Sequence, residues 1–147
     1  MATVNAYLTF NGNTEEAFNF YKSVFGGEFD YIGKFKDMPP SEDCPPPTPE
    51  DAERIMHVSL RISKETVLMG SDSTSFSGDV TFGNNFSLSI NTDSREEADK
   101  LFNGLSAGGQ IEMPIADSPW GSYFGMFRDK YGIEWMVDFD PKYNGQV

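Results

Sequence analysis

The chain has a single cysteine, Cys44, among 147 residues, so it can close no disulfide of its own. It is poor in basic residues: 11 Lys and Arg stand against 23 Asp and Glu, a net charge of -12. An acidic chain without a basic patch or stripe repels phosphate backbones and acidic membrane surfaces. Neither nucleic acid nor membrane is therefore an expected partner, and the charge itself serves solubility. No apolar run approaches the roughly 20 residues of a membrane span. The opening MATVNAYLTF lacks the basic-then-apolar order of a signal peptide. Together with the lone cysteine this points to a reducing, cytoplasmic location. There is no P-loop, and no glycine-rich turn following a parallel strand, since NGLSAGGQ follows a helical pattern. Cys44 sits in EDCPPP, where acidic neighbours disfavour a thiolate, so it is not a candidate nucleophile.

Aromatic residues, in contrast, are plentiful. Thirteen Phe, six Tyr and two Trp, with 38% apolar residues, supply a sizeable core for one domain spanning 1–147.

The chain also repeats itself. Glu15-Glu16-Ala17 opens EEAFNFYKSVF, which runs into Gly26-Gly27, and Glu96-Glu97-Ala98 opens EEADKLFNGLSA, which runs into Gly108-Gly109. Ala17, Phe20, Tyr21 and Val24 match Ala98, Leu101, Phe102 and Leu105 at helical spacing, so each copy predicts an amphipathic helix with one buried stripe. Ser94 and Glu97 have the spacing of a capping box, Asn13 or Thr14 can cap the first helix, and the glycine pairs suit helix ends. An alternating run precedes each helix, VNAYLTF (4–10) and NFSLSIN (85–91). Three follow each: EFDYIGKF (28–35), RIMHVSLRI (54–62) and TVLMGS (66–71) in the first half, then QIEMP (110–114), SYFGMFRD (122–129) and IEWMVDF (133–139) in the second. Each half thus reads strand, helix, strand, strand, strand, with module one over about 4–71, a linker over about 72–84 and module two over about 85–139. Ser63-Lys64-Glu65 and Lys130-Tyr131-Gly132 suit hairpins. The segment 36–53 holds six prolines and reads as a long loop, a lid or a partner contact if not a plain surface loop.

The stretches YLTFNGNTEEAFNFYKSVFGGE and WGSYFGMFRDKYGIEWMV resemble the PhnB-like branch of the vicinal oxygen chelate superfamily, the glyoxalase, bleomycin-resistance and extradiol-dioxygenase group. The likeness covers nearly the whole chain. It implies an α+β fold of two tandem βαβββ modules whose curled sheets form a cup, often within a homodimer. It also implies a small-molecule ligand and, in metal-dependent members, His or Glu ligands from the first and last strands of each module. The position four residues after the turn glycine, where such a Glu stands, is Met136 here. The other ligand positions fall on Asn5, Ala6 or Tyr7, on Leu68 or Met69, and on Asn85 or Phe86. A thioether is a poor ligand for Mg, Mn or Fe(II), so no metal and no cofactor is expected.

Two residues are candidates for proton transfer. His57 shares a strand face with Ser59 and Arg61 and is either a general base or a hydrogen-bonded sheet histidine. Glu134 shares the face of Met136. It is either a carboxyl with a raised pKa in an apolar cup or the partner of Arg61 or Arg128 in a structural bridge. Tyr7, Met69, Trp120, Phe124 and Met136 are candidates for the wall of a ligand pocket, with core packing the alternative. The expectation is a small-molecule binding protein. The alternatives are an enzyme of lyase, isomerase or dioxygenase type using His57 and Glu134, and a non-catalytic interaction protein.

Overall fold

In a computed structural model of the chain, residues 2–39, 41, 43 and 46–143 are described, apart from the side chain of Tyr143. Cys44 lies outside them. Contacts divide the chain into two units, Met1–Thr81 and Phe82–Val147.

The first unit runs β1 (Tyr7–Phe10), α1 (Thr14–Phe25), β2 (Glu28–Lys34), a 3-10 turn (Phe35–Asp37), a short α2 (Pro49–Ala52), β3 (Ile55–Arg61) and β4 (Val67–Asp72). Its sheet has the order β1-β4-β3-β2, with β1 parallel to β4 and the other pairs antiparallel. The second unit runs β5 (Leu88–Asn91), α3 (Arg95–Ser106), β6 (Gln110–Asp117), β7 (Tyr123–Arg128) and β8 (Glu134–Phe139). Its sheet order is β5-β8-β7-β6, again with one parallel pair, β5 with β8. The fold is α+β: two tandem βαβββ modules, each an open four-stranded sheet with a helix on one face.

The helix-covered faces make the two cores. In the first, Leu8, Phe10, Val58, Leu60 and Leu68 are buried with Ala17, Phe18 and Tyr21 of α1. In the second, Phe127, Trp135 and Val137 are buried with Ala98, Leu101, Phe102 and Leu105 of α3, and Phe102 meets Phe127 edge-on at 5.2 Å. The α3 stripe is the expected one. The α1 stripe is rotated: Phe18 is buried and Phe20 only half-buried, because Phe18 sits edge-on to both Phe10 and Tyr21.

The Gly-Gly pairs do the same two jobs in both modules. Gly26 and Gly108 take positive φ at the helix ends, 78° and 77°, where a side chain is strained. A Cβ on Gly27 or Gly109 would meet the carbonyl oxygen of Arg61 at 2.0 Å or of Arg128 at 2.2 Å, so only glycine lets the chain enter the sheet there.

Several local expectations are corrected. The strands expected from Val4 and Asn85 begin at Tyr7 and Leu88, and Val4 is fully exposed. The strand expected to stop at Pro114 continues to Asp117: β6 is an edge strand, and Pro114 lies in a register shift where no ladder donor is needed. The proline-rich segment holds α2, with Pro49 at its first turn and the Thr48 hydroxyl accepting from Asp51 N at 3.3 Å. Asn13 precedes α1 but makes no side-chain cap. The cap comes from buried Asp72 instead, whose Oδ1 accepts from Gly12 N and Thr14 N, each at 3.0 Å, and from the Thr14 hydroxyl. Its Oδ2 accepts from Ile55 N at 2.9 Å. In the second unit Ser94 caps α3 from Glu97 N as expected, while the Glu97 carboxylate accepts from Asp93 N rather than closing the box at Ser94.

Candidate functional site

Alternation places each candidate that lies in a strand on the sheet face that its helix leaves uncovered. In the first unit, Val58 and Leu60 point to α1, so His57 and Ser59 point the other way. The register sets Ser59 opposite both Tyr31 and Met69, and Met69 opposite Tyr7, so these residues share the open face. His57 stands between two tyrosines. The Tyr7 ring lies 5.7 Å from the imidazole and the Tyr31 ring 6.0 Å, both tilted. The Tyr7 hydroxyl is 3.5 Å from Nδ1, a long contact at the limit of hydrogen bonding. Both tyrosines are 48% exposed, so the group presents aromatic surface outward.

A glycine makes this cluster. Gly33 is the cross-strand partner of His57, and a Cβ there would lie 2.3 Å from the Tyr31 hydroxyl. Tyr31 therefore folds along its own strand over Gly33 and beside the imidazole. Tyr31 escaped the sequence reading although it alternates correctly in EFDYIGKF, because two register shifts in the β2–β3 pairing decide which β3 residue it meets.

In the second unit, Trp135 and Val137 point to α3, so Glu134, Met136 and Asp138 share the open face. Their cross-strand partners are Arg128, Met126 and Phe124. Trp120, in the turn before β7, sits edge-on to Phe124 at 5.6 Å. Glu134 is buried, 6% exposed, and its Oε1 lies 2.7 Å from Arg128 Nη2 but off the N–H direction, so the contact is an ion pair without an aligned hydrogen bond. Arg128 spends its aligned donors on the carbonyls of Gly132 at 2.6 Å and Gly83 at 3.2 Å. Burial pushes the Glu134 carboxyl above its ordinary range, and the carboxyl of Glu112 adds to this while Arg128 opposes it. The two alternatives for Glu134 therefore do not exclude each other: it pairs with Arg128, not Arg61, and burial still raises its carboxyl. Glu112 was not singled out in the sequence, because it lies at a register shift of β6 where alternation fails. His57 and Glu134 belong to different units. The structure groups His57 with Tyr7, Tyr31 and Met69, and Glu134 with Arg128, Glu112 and Met136.

Asp129, another acid of the last hairpin, is structural. Asp129 Oδ1 accepts from Tyr131 N and Ile133 N, at 2.8 and 3.1 Å, and Oδ2 accepts from the Trp135 indole at 2.8 Å.

The metal that the resemblance implies does not fit these residues. Tyr7, Met69 and Met136 offer a phenol and two thioethers where metal ligands are expected, and among the described residues no three His, Cys, Asp or Glu side chains are placed to hold a metal. Nor do the described residues offer the glycine-rich turn after a parallel strand where a nucleoside methyl donor usually binds. The turn after β1 is Asn11-Gly12-Asn13, and its Gly12 amide is already donated to Asp72. Gly108-Gly109 closes a helix and packs on backbone.

Comparison with known proteins bears on the same question. Residues 2–138 match the model of the 3-demethylubiquinone-9 3-methyltransferase family. Protein YjdN of Escherichia coli K12 is 31% identical over 144 residues, covering 92% of this chain and 93% of its own. The crystal structure of protein PA1353 from Pseudomonas aeruginosa superposes with a TM-score of 0.81 at 35% identity, covering 95% of this chain and 98% of that one. The PhnB protein from Bacillus cereus superposes with a TM-score of 0.73 at 28% identity, covering 94% and 99%. At 14% identity and a TM-score of 0.66, over 95% and 98% of the two chains, a glyoxylase/bleomycin resistance protein/dioxygenase domain from Frankia sp. EAN1pec shares the fold.

Proposed function

Because this chain belongs to the 3-demethylubiquinone-9 3-methyltransferase family, the PhnB-like branch of the glyoxalase fold, we propose that it is a small-molecule binding protein whose ligand lies on the open face of the first sheet. One observation carries the reading: two half-exposed tyrosine rings flank the chain's single imidazole. Aromatic faces beside one directional donor and acceptor are what a planar ligand with a polar edge requires. Tyr7 and Tyr31 supply the stacking surface, Met69 an adaptable floor, and His57 the hydrogen bond. In the second unit Phe124, with Trp120 edge-on to it, and Met136 offer a surface of similar chemistry on the open face of β7 and β8. The reading uses no metal and no methyl donor, in keeping with the donor set.

The ring signals of His57 are unambiguous in NMR, since no other histidine is present. Titration with the small-molecule filtrate of a host-cell extract is expected to move them, and Tyr31→Ala to weaken the response. Signals that stay fixed in the wild-type protein throughout the titration refute the reading.

A second reading, an enzyme of lyase, isomerase or dioxygenase type with His57 and Glu134 moving protons, is favoured by the raised Glu134 carboxyl. A screen on glutathione adducts and catechols tests it. Activity that survives both His57→Ala and Glu134→Gln removes those residues from any mechanism.

A further inference from the structure

A cavity of about 440 Å³ lies in the first unit outside the Tyr7–His57–Tyr31 group. That volume is in the range of small-ligand sites. Its walls are the 3-10 turn after β2, the described part of the proline-rich segment, α2, and the loop that follows β4. Apolar groups dominate the lining: Phe35, Met38, Pro47 and Phe76 among them.

The walls are tied together rather than loosely apposed. Phe35 N donates to Arg54 O at 3.0 Å, and Lys34 and Lys36 both reach the Glu53 carboxylate, at 3.1 and 2.8 Å. These bonds fix the 3-10 turn to the end of α2. Asp51 of α2, only 5% exposed, accepts from Ser75 Oγ at 2.7 Å and from Ser75 N at 3.2 Å, which fixes the loop after β4. That loop is a closed turn, with Gly78 N donating to Thr74 O at 2.9 Å. Phe76 of this turn lines the cavity and is 99% exposed.

Charge narrows the ligand. Among the described lining residues the ionisable ones are Asp43 and Asp51, both acids. The Ser75 hydrogen bonds hold Asp51 below the usual carboxylate range, so it stays ionised. The nearby cations are engaged elsewhere: Lys34 and Lys36 by Glu53, and Arg54 by the Ser73 carbonyl at 2.7 Å. An anion entering here would meet no cation among the described lining residues and would approach a chain of net charge -12.

We propose that this cavity is a second binding site, distinct from the open sheet face, for a small apolar amine. Its apolar body fills the space between Met38, Phe35 and Phe76, and its ammonium faces Asp43 and Asp51.

Three probes with one indole body and different head groups test this: tryptamine, tryptophol and indoleacetate. Each is titrated into the ¹⁵N-labelled full chain. Tryptamine is expected to shift the amides of Thr48, Ser75 and Phe76, to bind about tenfold more tightly than tryptophol, and to outcompete indoleacetate entirely. Phe76→Ala removes an exposed side chain without touching the core and is expected to weaken tryptamine severalfold. Met38→Trp fills the cavity and is expected to abolish binding, with the His57 ring signals unchanged as proof that the unit remains folded. Indoleacetate binding as well as tryptamine overturns the proposal. So do tryptamine shifts confined to the Tyr7–His57–Tyr31 group, absence of any shift at Ser75 and Phe76, or tryptamine affinity unaffected by both substitutions.

Discussion

At Glu134, burial and the Glu112 carboxyl act in one direction and Arg128 in the other, and the proton-holding side prevails. A carboxyl whose folded-state pKa lies above its ordinary 4.5 binds its proton more tightly in the folded chain than in the unfolded one. Its contribution to stability is therefore complete below that ordinary value and is lost as pH rises through the raised one. Glu134→Gln keeps the shape and removes the titration, while Arg128 keeps the Gly132 and Gly83 carbonyls. Urea unfolding of both proteins, in steps from pH 4.5 towards neutrality, should show the wild type losing stability relative to the variant. A difference that is flat with pH contradicts this. The position of Glu134 on the uncovered face was legible from simple alternation with Trp135 and Val137. Glu112 was not, because a bulge in β6 breaks the period that alternation relies on. Tyr31 was hidden for the same reason, since a strand reveals its faces locally but its register only through its partner.

Helices and strands were legible as elements because their periods are strong. Most strand boundaries lie within a residue or two of those read from the sequence, and the full α3 stripe is buried as expected. What was not legible is the support that elements receive from a distance. The cap of α1 is Asp72, 58 residues beyond Thr14, while the local candidate Asn13 contributes no side-chain bond. Asp72→Ala would leave the buried Thr14 amide and hydroxyl and the Ile55 amide without their acceptor. The expected loss is roughly 3 kcal/mol or more of folding stability, read from the urea midpoint. A loss under about 1 kcal/mol would mean that water or a neighbour replaces the carboxylate readily. At the sheet, Gly33→Ala should displace the Tyr31 ring without unfolding the unit. The ring-current shift of the His57 protons reports this directly, and an unchanged shift would show that Gly33 is not what seats Tyr31.

On the scale of the whole chain, the tandem repeat was the most legible feature. Two Glu-Glu-Ala starts and two Gly-Gly ends at matched spacing were enough to divide it into two βαβββ modules, and in both pairs the first glycine takes positive φ just past the helix and the second packs on backbone. The site was less legible because it is assembled by register: His57 meets a tyrosine from β1, 50 residues before it, and another from β2, 26 residues before it. Among the described residues no helix is long and apolar enough to cross a membrane. The edge strand β6 leaves Ile111 and Met113 exposed, a surface that the homodimer implied by the family resemblance would cover. Light scattering is expected to return twice the 16.4 kDa of one chain, and a single-chain mass contradicts that assembly. The central claim is that the tyrosine-flanked face around His57 holds a small organic molecule. Native mass spectrometry of the protein purified from its own host tests it most directly. The account predicts the mass of the assembled chain plus a small organic adduct, lost in Tyr31→Ala. Bare protein mass in the wild type, indistinguishable from the variant, would contradict it.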